Sequence, residues 1–204
     1  MSKIIDVSAY QGAIDWKQAA QEIDGVILRA TTQNGKIDTR FMENLNGALQ
    51  NGVESISAYK FAYTRTYIAA YMEACKTLDL LDSYGALRWL DMFYLDLEAW
   101  GGRDYTTGEA NEVIRGYKDA AHDFNIKFGL YFNYNYAKNI VDNYWKCLPL
   151  WIARYNSSLG DVSPWTPKLW QYTDKGTIAG IKGNVDVSLD GFKRGYGRNE
   201  TIFR

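Results

Sequence analysis

Short apolar runs alternate with helical stripes along the first two thirds of the chain. Residues 4–8 (IIDVS) form an apolar run with Asp6 toward its polar end, followed by the loop AYQGAI and a helical window at 15–23. This predicts a strand, a loop and a helix. The unit repeats: residues 25–31 (GVILRAT) have the β-branched and Leu content of a buried strand, and 38–50 place Phe41, Met42, Leu45, Ala48 and Leu49 at helical spacing with Gly52 as a stop. Residues 55–63 (SISAYKFAY) predict a third strand, leading into a helix through Tyr67, Ala70, Tyr71, Ala74, Leu78 and Leu81.

The fourth strand falls on residues 92–100 (MFYLDLEAW). Phe93, Leu95 and Leu97 alternate with Tyr94, Asp96 and Glu98, so a period of two puts both carboxylates on one face. Neighbours on one strand face have Cα atoms roughly 6.6 Å apart, so ionising one acid opposes ionising the other and leaves one poised as a proton donor near neutral pH. Taken alone, such a pair is more often a solvated, polar strand end than a site. A helix over 107–124 follows, with Val113, Tyr117, Ala120, Ala121 and Phe124 as its stripe, then a strand at 127–134 (KFGLYFNY) and a helix at 136–145. Beyond that the rhythm changes. Residues 148–155 (LPLWIARY), 169–173 (LWQYT) and 185–189 (VDVSL) read as strands separated by Gly, Pro, Ser and Asp rather than by helical stripes.

Eight strands and about five helices predict an α/β fold, an irregular and flattened (β/α) barrel, because right-handed crossovers curl successive units the same way. An open doubly wound sheet is disfavoured, since AYQGAI is not the Gly-rich loop that cradles a nucleotide. In such barrels chemistry gathers where the strands end. Asp6, Asp96, Glu98 and Asp186 then share one mouth, the last because the final strand neighbours the first on closure. Arg29, Tyr59, Tyr131, Trp151 and Gln171 lie in strands two, three, five, six and seven and are candidates for substrate binding, as aromatic walls and hydrogen-bonding groups around a sugar. Asp15, Asp24, Asp38 and Asp190 read as caps, turns or solvated positions.

Composition narrows the chemistry. At 204 residues, 47% apolar, one domain is expected: a barrel over 1–191 and a short tail over 192–204. The 16 Tyr and 7 Trp suit a layered core or a surface that grips flat apolar faces, as sugars present. A net charge of −1 with no basic block argues against nucleic acid as a partner. His122 is the only histidine and is expected on a helix surface, so His triads and multi-His metal sites are poorly supported. Cys75 and Cys147 lie too far apart for a metal spacing and are expected as buried free thiols. No metal or cofactor is called for. No window approaches a membrane span, and charge appears too early for a signal peptide, so synthesis without export is expected.

Six segments, in order across almost the whole chain, resemble glycoside hydrolase family 25, the Chalaropsis-type lysozymes: DVSAYQGAIDW, GVILRAT, YLDLE, LWIARY, LWQYT and VDVSLD. The resemblance implies a barrel of this irregular kind and N-acetylmuramidase activity on bacterial peptidoglycan, with a monomer expected. It puts Glu98 in the role of general acid and base and Asp96 as its partner, and matches Asp6 and Asp186 to two further acids of the family's site. Two positions depart from the pattern: Lys60 stands where the family often has His, and Thr32 and Gln33 where it often has Glu. A phage endolysin, made in the host bacterial cytoplasm and acting on the wall after release, is the setting implied. A chitinase-like N-acetylhexosaminidase and an inactive glycan-binding barrel are the alternatives.

Glycosidic cleavage needs a proton on the leaving oxygen and support for positive charge at the anomeric carbon. For the second task Asp96 has three possible roles: nucleophile, base for an inverting water, or a group that orients the substrate's own 2-acetamido oxygen. Strand spacing leaves these open, and resemblance to other hexosaminidases with an acid two positions before the catalytic Glu implies the third.

Overall fold

The computed structural model describes residues 1–191. Eight strands, β1 (Ser2–Val7), β2 (Gly25–Arg29), β3 (Ser55–Phe61), β4 (Phe93–Asp96), β5 (Phe128–Asn133), β6 (Leu150–Ala153), β7 (Leu169–Gly176) and β8 (Val185–Asp190), close into a barrel in chain order. The helices are α1 (Trp16–Ala19), α2 (Phe41–Gln50), α3 (Tyr67–Ser83), α4 (Thr107–Asp123) and α5 (Tyr134–Asn139). This is the expected barrel of eight strands and five helices. The tail expected over 192–204 lies outside the described residues.

Strands β1 to β7 pair in parallel, whereas β8 runs antiparallel to both β7 and β1. No helix intervenes between β7 and β8, so the last strand returns as a hairpin. Its direction matters for the site. Asp186 is the second residue of β8, and it reaches the rim where the parallel strands end only because β8 runs the other way; it pairs directly with Asp6.

The period of two divides the strand side chains between two layers. Ile5, Val26, Leu28, Phe93, Leu95, Phe132 and Ile152 point outward into the layer beneath the helices. Ile4, Ile27, Met92, Tyr94, Tyr131, Trp151 and Leu169 fill the barrel interior. Gly129 makes room for them: a Cβ there would lie 2.5 Å from Cε1 of Tyr94. Helices α3 and α4 approach closely at Gly116, where a Cβ would meet the Tyr67 carbonyl at 2.7 Å and the Tyr71 nitrogen at 2.8 Å.

Two helices are shorter than the stripes predicted. Asp15 caps α1, accepting from the Gln18 backbone N–H, but the helix makes only one turn. Helix α5 ends at Asn139, and Asp142 caps a separate 3-10 turn over Asn143–Cys147. The β-branched pair Ile140–Val141 falls at this break, where helix propensity is weak. Both cysteines are free, but Cys147 is exposed on that turn rather than buried, and Cys75 is half-buried. His122 lies exposed in the last turn of α4. Asp38 is buried, accepting hydrogen bonds from the backbone of Ala9 and Arg40.

Candidate active site

Asp6, Asp96, Glu98 and Asp186 come together at the mouth of the barrel. Asp6 and Asp96 are the deepest, each 7% exposed, while Glu98 and Asp186 are half-buried. Strand β4 stops at Asp96, so Glu98 stands just past the ladder. The Leu97 N–H still donates to the Tyr131 carbonyl at 2.9 Å, which keeps Glu98 over the mouth before the chain turns away. Glu98 lines a cavity of about 330 Å³ together with Tyr131, Asn133, Tyr134, Asn135, Ala153, Arg154 and Tyr155.

All four carboxyls are pushed above the usual carboxylate range, and burial is the largest cause for each. For Asp6 the second cause is Asp186, for Asp96 it is Glu98, and for Glu98 it is Asp186. Asp6 and Asp186 are register partners across the β1–β8 seam, so the charge of Asp186 is the second cause that holds the Asp6 carboxyl up. Among the described residues no Lys or Arg forms an ion pair with any of the four. Arg29 supplies a weaker, longer-range counter-field at Asp96. One atom stands out: Oδ1 of Asp96 is buried and has no hydrogen-bond donor among the described residues.

The expected binding residues sit at different depths. Tyr59 is half-buried and packs edge-on to Trp151, with ring centroids 6.3 Å apart. Trp151 is 2% exposed, its ring against Tyr59, Tyr94 and Tyr131 and its Nε1 donating to the Ser188 hydroxyl at 2.9 Å; it is the floor of the mouth. Tyr131 and Gln171 are also buried and bond to one another. Arg29 reaches the Thr31 carbonyl and lies 5.9 Å from the Tyr10 ring centroid. Asn133, Tyr134, Asn135, Arg154 and Tyr155 are cavity residues that sequence reasoning missed. Their strands or rim loops were legible, but nothing local marks a Tyr or Asn as facing Glu98.

Of the departures from the family pattern, Lys60 falls outside the mouth. Lys60 points outward from the barrel, its ammonium 3.6 Å from Glu73 of α3 and 4.5 Å from the Tyr63 ring centroid. Glu73 also accepts from Tyr117 Oη at 2.7 Å and from the Tyr63 backbone. Thr32 serves a tight turn, bonding to the Lys36 carbonyl.

The loop that carries Glu98 onward is held by Arg65. Its guanidinium donates to the carbonyls of Trp100 at 2.9 Å, Asp104 at 3.0 Å and Arg103 at 3.1 Å, and to Glu109 at 3.2 Å. Glu109 in turn closes a capping box with Thr106 at the start of α4.

A closed barrel that gathers buried carboxylates beside an open cavity at its strand ends is an arrangement suited to glycoside hydrolysis. The chain belongs to Glycosyl hydrolases family 25, whose family profile it matches over residues 5–181. It is 25% identical over 194 residues to the autolytic lysozyme of Clostridium acetobutylicum, covering 95% of this chain and 56% of the relative. Among solved structures it is similar to the modular autolysin LytC of Streptococcus pneumoniae, solved in complex with a synthetic peptidoglycan ligand, with a TM-score of 0.81, 26% identity, and coverage of 92% of this chain and 46% of LytC. It is also similar to the CTP1L endolysin, with a TM-score of 0.78 and 28% identity over 93% of this chain and 66% of that one. The chain thus spans about half the length of the first two relatives.

Proposed function

We propose that this chain is a lysozyme, an N-acetylmuramidase that hydrolyses the β-1,4 bond between N-acetylmuramic acid and N-acetylglucosamine in bacterial peptidoglycan. The observation that carries this reading is the division of labour within the acidic pair. Glu98 lines the cavity, whereas Asp96 lies beneath it with a buried oxygen that lacks a donor. A buried carboxylate oxygen without a donor is costly until a ligand supplies one, and the N–H of a substrate's 2-acetamido group is such a donor.

Glu98, held protonated by burial and by Asp186, gives its proton to the glycosidic oxygen as the bond to the anomeric carbon breaks. Asp96 accepts the acetamido N–H and aims the acetamido carbonyl oxygen at the anomeric carbon, forming an oxazolinium ring. Glu98, now a carboxylate, takes a proton from the water that opens this ring. The new reducing end emerges with retained β-configuration. Asp6 and Asp186 act through hydrogen bonding and field.

The test is clearing of purified Gram-positive cell walls by wild-type protein and by Glu98→Gln. Activity should fall by about 10²- to 10⁴-fold, the usual contribution of a positioned general acid, with an unchanged circular dichroism spectrum. Equal clearing by the variant would remove Glu98 from the role. An α-configured first product, read by NMR, would exclude the acetamido route. We propose further that the protein acts as a phage endolysin on the host wall; the similarity to the CTP1L endolysin supports this setting. Lysis of a bacterial host on co-expression with a membrane-permeabilising holin tests it, and intact cells under those conditions would count against it.

A further inference from the structure

Gln171 is 1% exposed on β7, and every polar atom of its side chain is engaged. Its Oε1 accepts from the Tyr131 hydroxyl at 2.9 Å and from the Tyr155 hydroxyl at 3.1 Å. Its Nε2 donates to Oδ2 of Asp6 at 2.9 Å. With both phenols donating to Oε1, the amide turns its Nε2 donor toward Asp6, and Oδ2 of Asp6 is the acceptor.

We infer that Gln171, clamped by Tyr131 and Tyr155, is a positioning residue that fixes the orientation of the Asp6 carboxyl and thereby the charge that the Asp6–Asp186 pair presents beside Glu98. This rests on the reading of Glu98 as proton donor and extends it. Gln171 lies behind the cavity wall and acts through Asp6, whereas Tyr131 both lines the cavity and holds Gln171. Tyr155 has two faces: its hydroxyl belongs to the clamp, while the residue is half exposed and lines the cavity beside Glu98.

The charged and titratable groups that act on Asp6 come from most of the barrel wall: Tyr59 from β3, Asp96 and Glu98 from β4 and its end, Tyr131 from β5, Tyr155 past β6 and Asp186 from β8, while Arg29 of β2 acts on Asp96 and Asp174 of β7 on Asp186. Gln171 is the neutral donor seated directly on an Asp6 oxygen. Removing a donor from the charged form lets Asp6 keep its proton to higher pH. A more protonated pair puts less negative charge beside Glu98, so Glu98 loses its proton at lower pH. The Asp96 carboxyl, which the Asp6 charge also pushes up, falls in the same direction, so the pH–rate profile should move to lower pH.

The experiment compares wild-type, Gln171→Leu, Gln171→Glu and Tyr155→Phe in two readouts. The first is the pH profile of kcat and kcat/KM on purified peptidoglycan. The second, independent of activity, is the titration of Asp6 by NMR of protein labelled with ¹³C at aspartate carboxyls, its signal assigned by loss in Asp6→Asn. Gln171→Leu should raise the Asp6 titration by about one pH unit, as expected for the loss of a hydrogen bond to a charged group, and move the profile to lower pH. Tyr155→Phe should shift it the same way by less. Gln171→Glu keeps the acceptor for both tyrosines but turns the donor into an acceptor, so it should shift Asp6 most while retaining the fold. Should Gln171→Leu not fold, the other two variants decide the outcome. An Asp6 titration unchanged in Gln171→Glu and Tyr155→Phe would overturn the inference. Failure of wild-type protein to cleave peptidoglycan would instead overturn the proposed function, leaving the Asp6 titration to decide the role of Gln171.

Discussion

At the scale of single residues, the mouth trades stability for chemistry. Asp96 holds its proton more tightly in the folded chain than in the unfolded one, because burial and the neighbouring Glu98 both oppose its charge. A raised carboxyl makes the folded state the better proton binder, so its effect on stability turns unfavourable as pH rises from the unfolded value through the folded one. Asp96→Asn removes that charge. It should abolish clearing of cell walls and raise the melting temperature at pH 7 by a few degrees, given that 1 kcal/mol moves Tm by about 2–4 °C in a chain of this size. The gain should vanish near pH 4, where aspartates of the unfolded chain themselves begin to protonate. Thermal melts at the two pH values check this, and a lower Tm at pH 7 would show that Asp96 is not a strained charge. The residue scale is also where sequence reading reached least far. Trp151, Tyr131 and Gln171 lie in the expected strands and on the inward face, but inward in a barrel this small means packed against other side chains, and only depth along the strand separates a floor from a wall.

At the scale of elements, Glu98 is positioned from two sides: by the Leu97–Tyr131 bond that continues the β4 ladder, and by the loop beyond it, pinned by Arg65 from the connection between β3 and α3. Arg65→Ala should speed amide hydrogen exchange across residues 99–106 while sparing β4, and raise KM more than it changes the fold. Equal protection in the variant would place the loop's order elsewhere. The α3–α4 contact is set by a missing side chain. Gly116→Ala drives a methyl into backbone atoms of α3 that cannot swing aside, and should destabilise by about 1–3 kcal/mol in urea unfolding, the range for overpacking. Strand identities were legible from β-branched runs and period-two alternation. The lengths of α1 and α5 were not, because apolar stripes continue past the residues that break them, as Ile140 and Val141 show.

At the scale of the molecule, the catalytic mouth exists only once the barrel closes. Asp6 and Asp186 are separated by nearly the whole chain yet are direct partners across the β1–β8 seam, so assembling the site and completing the fold are one event. The four acids were legible from strand ends and ordered motifs. The reason Asp186 faces the mouth was not, since it depends on a last strand that reverses direction, and strand periodicity is the same in both directions. The cavity side of the site, with Arg154, Tyr155 and the 133–135 turn, was hidden for a related reason: its residues meet Glu98 through curvature of the wall, not through spacing along it. The shape that results, acids on one side and tyrosines with Asn and Arg on the other, is what a muramidase would use to hold a glycan chain across Glu98.

The central claim is tested most directly by the identity of the sugar at the newly formed reducing end. Purified peptidoglycan digested with the protein, reduced with borohydride and hydrolysed should yield muramitol from N-acetylmuramic acid ends in proportion to the bonds cut, and none with Glu98→Gln. Glucosaminitol in its place, or release of neither, would contradict the assignment of this barrel as an N-acetylmuramidase.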